Sequence, residues 1–236
     1  MIDIAANLQS VKERIAAAAS GCGRDPGSVS LVAVSKLHPS EAIRAAYAAG
    51  QRAFGENYAQ ELRDKAAELE DLTELRWHFI GHLQRNKAKY AARAGAMVET
   101  VDSIKLVSEL ERQAERRGIE IPCLVQVNVG GEEQKSGCDS GEAEKLLGAI
   151  ENAERLELGG LMTIPPFELK VEQTRRYFSE LRRLRDSLGG PERLPHLSMG
   201  MSQDFEAAIE EGATLVRVGT AIFGPRPEAC EMDRPG

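Results

Sequence analysis

Lys36 stands at the C-terminal end of the apolar run Val29-Ser30-Leu31-Val32-Ala33-Val34-Ser35-Lys36. A β-strand alternates its faces, so Val32, Val34 and Lys36 share one side, and that side is apolar. An ammonium there is costly unless it is paired, neutralised or covalently used. Two readings follow. Either the lysine ends its strand and snorkels its head to water, or it is a deprotonated amine that condenses with a carbonyl ligand as a Schiff base. Arg217, in the run Leu215-Val216-Arg217-Val218-Gly219, poses a similar question. Leu215, Arg217 and Gly219 share a face, and a buried guanidinium stays charged and demands a partner. That partner is either a neighbouring carboxylate or a ring nitrogen or carboxylate of a ligand.

Two loops add a third kind of group. Ser198-Met199-Gly200-Met201-Ser202-Gln203-Asp204 leads from a predicted strand into a helix expected to begin near Gln203, with Ser202 as its N-cap. Gly219-Thr220-Ala221-Ile222-Phe223-Gly224 offers small residues that let a ligand approach the backbone. Either loop taken singly is equally well explained by helix capping and turn chemistry. Together, after what read as the seventh and eighth strands, they match a barrel's phosphate cradle. An amine, a phosphate cradle and an arginine on one rim suit pyridoxal 5′-phosphate (PLP), which presents an aldehyde, a phosphate and a pyridine nitrogen. An arginine cannot accept a proton, so it would keep the ring nitrogen unprotonated and the ring a poor electron sink.

Other chemistry-bearing residues are less coherent. His78 and His82 are four apart, a spacing that suggests a metal pair. But Gly81 separates a strand end from a loop, and no HExxH or nearby Cys or Asp completes a tetrahedral set, so no metal site is expected. His82 is assigned to the rim and His78 to packing beside Trp77. Glu56 is either an acid/base near the site or the cap of the following helix, with the cap preferred. Lys135, in Gln134-Lys135-Ser136-Gly137, is either a solvated side chain or a second amine that accepts the aldehyde during hand-off. Cys22, Cys123, Cys138 and Cys230 show no CxxC spacing, as expected of reduced thiols in a cytoplasmic protein.

A common rim for these residues demands a particular scaffold. Eight short apolar segments read as strands: 30–35, 52–55, 77–80, 97–100, 123–128, 158–163, 196–199 and 215–218. Between them lie Ala/Leu-rich charged stretches of helical period at 40–49, 58–69, 83–93, 105–117, 141–153, 171–188 and 203–210. The βα alternation predicts a parallel sheet, and eight units in 236 residues favour a closed (β/α)8 barrel over an open sheet. The unusual residues all fall at predicted strand C-termini, where barrels place their chemistry. Ile4, Leu8, Val11 and Ile15 add an amphipathic helix over residues 2–20. No long linker interrupts residues 1–225, which read as one domain, and the proline-rich 226–236 reads as a loosely held tail. The net charge of −7 argues against nucleic acid as a partner, and no apolar run approaches a membrane span.

The segments LVAVSK (31–36), FGENYAQEL (54–62), WHFIGHLQRNK (77–87), VDSIK (101–105), VQVNV (125–129), GLMTI (160–164), LSMGMSQDF (197–205) and VRVGTAIFG (216–224) span nearly the whole chain. With them the chain resembles the pyridoxal phosphate homeostasis protein family (the YggS/PROSC family), whose barrel is similar to the N-terminal domain of alanine racemase. The resemblance implies a single TIM-like barrel of that type, binding PLP. It implies that Lys36 carries the cofactor as a Schiff base and that Arg217 faces the pyridine nitrogen. Ser202, Gly219 and Thr220 would hold the phosphate, and Asn57 and Met162 would line the ring. Ser198 and Met201, in the same loop as Ser202, complete the cofactor-binding set, and no residue is assigned a catalytic role.

Three functions share such a rim: a non-catalytic PLP carrier that supplies apo-enzymes, a PLP-dependent amino-acid racemase, and a cofactor-free lysine aldolase. The aldolase has no use for Arg217 or the coupled loops. A two-base racemase needs a second acid/base. Racemases bring a tyrosine from an added C-terminal β-domain. These residues show no such domain, and Tyr47, Tyr58, Tyr90 and Tyr177 all fall on predicted helices. The expectation is therefore a cytoplasmic, monomeric PLP homeostasis protein.

Overall fold

Strands form where β-branched and aromatic residues interrupt the charged helical stretches. In the computed structural model, which describes residues 2–130, 136–166 and 170–225, they are β1 (Ser30–Val34), β2 (Ala53–Glu56), β3 (Arg76–Phe79), β4 (Met97–Val101), β5 (Ile121–Gln126), β6 (Leu156–Met162), β7 (His196–Ser198) and β8 (Leu215–Val218). They close into one parallel barrel in chain order. β8 pairs with β1 in the register Val32 opposite Arg217 and Ala33 opposite Val218. On the other side of β1, Ala33 lies opposite Phe54 of β2.

The helices are α1 (Ile4–Gly21), α2 (Ser40–Ala48), α3 (Ala59–Glu68), α4 (Ala88–Ala94), α5 (Ile104–Arg117), α6 (Ala143–Glu151), α7 (Val171–Ser187), α8 (Gly190–Arg193), α9 (Phe205–Glu210) and α10 (Thr220–Phe223). The segment 83–93, predicted as one helix, is a 3-10 turn (Arg85–Lys87) followed by α4. The short α8 was not foreseen. The tail at 226–236 lies outside the described residues. Among the described residues no helix is long and apolar enough to cross a membrane.

Alternation along the strands sorts side chains into two cores. Ala33, Phe54, Phe79, Val98, Val125, Leu161 and Val216 point outward into one large cluster shared with the helices. Leu124, Met162 and Leu215 form a separate small cluster in the barrel interior. α1 buries Leu8, Val11, Ile15 and Ala19 against α9, α10 and α2. Polar contacts fix its seat: Asp3 Oδ1 accepts from the N–H of Ala6 at 2.9 Å, Asn7 Nδ2 donates to Ile222 O at 3.0 Å, and Arg14 Nε donates to Glu206 Oε1 at 2.7 Å. The extra helix thus buttresses the two short helices that follow β7 and β8.

Leu8 is fully enclosed in this seam. Leu8→Ala should lower unfolding free energy by about 2–5 kcal/mol, the usual cost of a buried Leu→Ala truncation, as read by urea denaturation.

Candidate functional site

The C-terminal strand ends open into a cavity of about 370 Å³, within the size range of small-molecule pockets. Lys36, Asn57, Met201, Ser202, Arg217, Gly219 and Thr220 all line it. Val34, on the strand face of Lys36, and Ile80, Ile164 and Thr174 supply further wall. Met162 and Ser198 do not line it. Met162 packs with Leu124 and Leu215 in the interior cluster, and Ser198 is fully buried in a polar network.

Each lining group is placed by its neighbours. Asn57 follows β2, and its backbone lies so close to Gly81 that a Cβ on Gly81 would sit 2.0 Å from Asn57 O. Only glycine fits there, and Thr100 Oγ1 donates to Gly81 O at 2.7 Å. Asn57 Oδ1 is buried without a hydrogen-bond partner among the described residues. Ser202 is not a helix cap, contrary to expectation. α9 begins only at Phe205, and the Asp204 carboxylate takes up the local N–H of Met201 at 2.6 Å. Burial raises the Asp204 carboxyl above its ordinary value, against the Met201 hydrogen bond and the charge of Arg217. Ser202 Oγ instead accepts from the N–H of Gly219 at 3.3 Å, joining the two loops. Among the described residues, no hydrogen bond uses the N–H of Ser202, Gln203, Thr220 or Ala221.

Arg217 is 3% exposed and reaches the cavity from below. Its Nη1 donates to Ser198 Oγ at 2.6 Å and its Nη2 to Thr163 O at 2.9 Å. Ser198 Oγ donates onward to Glu99 Oε2 at 2.5 Å, and Glu99 Oε1 lies 2.6 Å from His78 Nδ1. Burial lowers the guanidinium's pKa, opposed by the charges of Glu99 and Asp204, but an arginine remains charged. For Glu99, burial acts to raise the carboxyl. The hydrogen bond from His78, the charges of His78 and Arg217, and the Ser198 hydroxyl outweigh it and hold Glu99 below the ordinary carboxylate value. The carboxylate alternative for Arg217 is therefore realised through Ser198.

His78 does not pack beside Trp77. It faces the opposite side of β3 and pairs with Glu99, while Trp77 stacks outward near Phe54 with ring centroids 6.4 Å apart. Glu56 neither caps α3 nor lines the cavity. It is fully buried, its Oε1 accepting from Ser35 Oγ and Lys65 Nζ, both at 2.7 Å. Burial pushes its carboxyl up to about 7, against the attraction of Lys65. Tyr58 stands just before α3, not on a helix. With His82 and Lys87 it lines a smaller hollow of about 160 Å³ that also touches Asn57. Lys135 lies outside the described residues. Among the described residues no three His, Cys, Asp or Glu side chains gather as a metal set.

Comparison with known proteins fits this geometry. The family model described as alanine racemase, N-terminal domain, matches residues 6–227, which sets the class of barrel. A Pseudomonas aeruginosa protein named pyridoxal phosphate homeostasis protein is 47% identical over 229 residues, covering 96% of this chain and 97% of that protein. The Escherichia coli K12 protein of the same name is 44% identical over 235 residues, covering 96% and 98%. The solved structure of PipY from Synechococcus elongatus PCC7942, with PLP bound, superposes with a TM-score of 0.78 at 41% identity, covering 91% of this chain and 100% of that one. The chain belongs to the pyridoxal phosphate homeostasis protein family.

The Glu99 network has a pH signature. An unfolded Glu99 titrates near 4.5 and the folded one lower. Between those values the unfolded chain binds the extra proton, so Glu99's contribution is complete above about 4.5 and is lost as pH falls through the folded value. Urea unfolding at stepped pH should show this acid-side loss, weakened in Glu99→Gln. At neutral pH that variant should be less stable by about 3–5 kcal/mol, because Arg217 stays buried with its charge uncompensated.

Proposed function

We propose that this chain holds PLP reversibly on Lys36 and serves the homeostasis and supply of that cofactor rather than substrate turnover. The observation that carries the reading is the convergence of Lys36, Arg217 and Ser202 on one cavity. When bound, PLP would supply an aldehyde open to attack by an amine. Lys36 is that amine. The Ser202 hydroxyl and the uncommitted N–H groups of Gln203, Thr220 and Ala221 give a phosphate its donors. Arg217 would donate to the ring nitrogen and cannot accept a hydrogen bond from a protonated one, so the nitrogen would stay unprotonated. Asn57 would line the ring from the cavity wall. Met162 and Ser198 act from beneath, one as packing and the other as the tie between Arg217 and Glu99.

The racemase alternative needs a second base facing Lys36. Among the described residues no tyrosine lines the cavity, and its one carboxyl, Asp204, is engaged by the Met201 N–H. The reading makes the protein a cytoplasmic monomer that passes cofactor to apo-forms of PLP-dependent enzymes.

Purified protein should be yellow, and borohydride should fix PLP on Lys36, located by peptide mass. Lys36→Ala should lose the fixed label while retaining some PLP in the phosphate loops. Mixed with a PLP-dependent apo-enzyme, the loaded protein should restore its activity, and racemisation assays across common amino acids should show no turnover. A colourless protein that borohydride and PLP leave unlabelled overturns the cofactor reading, and rapid racemisation overturns the carrier reading.

A further inference from the structure

Behind Lys36, on the side turned away from the cavity, lies a buried charge cluster that the cofactor reading leaves unused. Lys65 of α3 is buried, and Nζ makes three hydrogen bonds: to Ser35 O at 2.7 Å, Glu56 Oε1 at 2.7 Å and Glu61 Oε1 at 2.6 Å. These engage every hydrogen of the ammonium. Glu61 Oε1 also accepts from the N–H of Leu37 at 2.6 Å. Ser35 is held a second time by its hydroxyl on Glu56 and a third time by its N–H on Gly55 O at 3.0 Å. The residues before and after Lys36 are therefore both tied to one side-chain cluster. None of Glu56, Glu61 and Lys65 lines the cavity.

Leu37 carries the second observation. Its φ of +62° is the only positive value at a non-glycine among the described residues. A leucine in the left-handed region is strained by its Cβ, and such strain persists only where the surroundings impose it. Here the turn bond from His38 N–H to Ser35 O at 3.0 Å and the bond from Leu37 to Glu61 together supply the restraint. The cluster is also an expensive way to hold α3 against the barrel. Desolvating an ammonium and two carboxylates costs several kcal/mol per ion, and an apolar contact of equal size would pack as well.

We propose that Lys65, with Glu56 and Glu61, is a positioning set. It clamps the backbone at Ser35 and Leu37 so that the intervening Lys36 projects its amine into the cavity at the reach the aldehyde requires. The inference rests on the PLP reading above. Retention of the cofactor then belongs to the loops after β7 and β8, whereas its covalent capture depends on α3. Release of the clamp would leave PLP bound and slow its attachment, because a small misplacement of a reacting group costs far more in rate than in binding.

The test compares wild type, Glu61→Ala, which removes the Leu37 side of the clamp, and the double variant Lys65→Met/Glu56→Gln, which removes the Lys65 tie to Ser35 without leaving the buried Glu56 charge unpaired. PLP is the probe. Retained PLP is measured by equilibrium dialysis, the rate of attachment by stopped-flow absorbance, and the fraction attached to Lys36 by borohydride and peptide mass. Far- and near-UV circular dichroism establishes folding; should the double variant not fold, Glu61→Ala decides. The expected result is retention close to wild type with attachment slowed about tenfold or more and a smaller trapped fraction. Folded variants that attach PLP as fast and as fully as wild type overturn the positioning role. A wild type that never attaches PLP instead overturns the cofactor reading, so the two failures are distinguishable.

Discussion

The hydrogen-bond ladder between β8 and β1 closes the barrel and sets Val32 opposite Arg217. Everything at the site depends on that closure. Lys36 and Arg217 come from opposite ends of the chain and meet only because the last strand pairs with the first. Two more consequences follow from the same ladder. Gly219, one residue beyond β8, passes so near β1 that a Cβ there would lie 3.0 Å from Val34 O. Its N–H then meets Ser202, which ties the β8 loop to the β7 loop. α1 secures this seam from outside by packing on α9 and α10.

The second constraint is charge. Among the described residues the barrel buries one guanidinium and, just outside its wall, one ammonium, and each is answered by carboxylates. Arg217 is balanced from β4 through the Ser198 hydroxyl of β7, with His78 of β3 on the far side of Glu99. Lys65 of α3 is balanced by Glu56 of β2 and by Glu61 one helical turn earlier. Such arrangements are weak devices for stability, since desolvation consumes most of the Coulomb gain. Their worth is geometric: each fixes one side of a cavity in which an aldehyde, a phosphate and a ring nitrogen need separate partners.

Much of this was legible in the sequence, and the residues show why. All eight strands fall within about two residues of their predicted positions because alternating Val, Ile and Leu bounded by charged stretches leaves little choice. Seven of the nine expected ligand residues line one cavity because strand C-termini converge in any closed barrel. What was not legible depends on register or on burial of polar groups. Ser202 read as a cap because its hydroxyl precedes a helix, yet Asp204 is nearer the open N–H of Met201. Glu99, charged within the apolar strand Met97–Val101, was a visible signal of a buried network, but its partners lie on three other strands. Glu61 and Lys65 are spaced like an ordinary exposed helix pair; only the placement of α3 against Ser35 and Glu56 turns them inward.

Whether one cavity holds the cofactor by three groups at once is decided by a crystal structure of the protein soaked with PLP. The expected map has electron density continuous with Lys36 Nζ, a phosphate between Ser202 and the Gly219–Thr220 backbone, and the ring nitrogen on the Arg217 guanidinium. PLP bound elsewhere, or density in this cavity that is detached from Lys36 and turned away from Arg217, would contradict it.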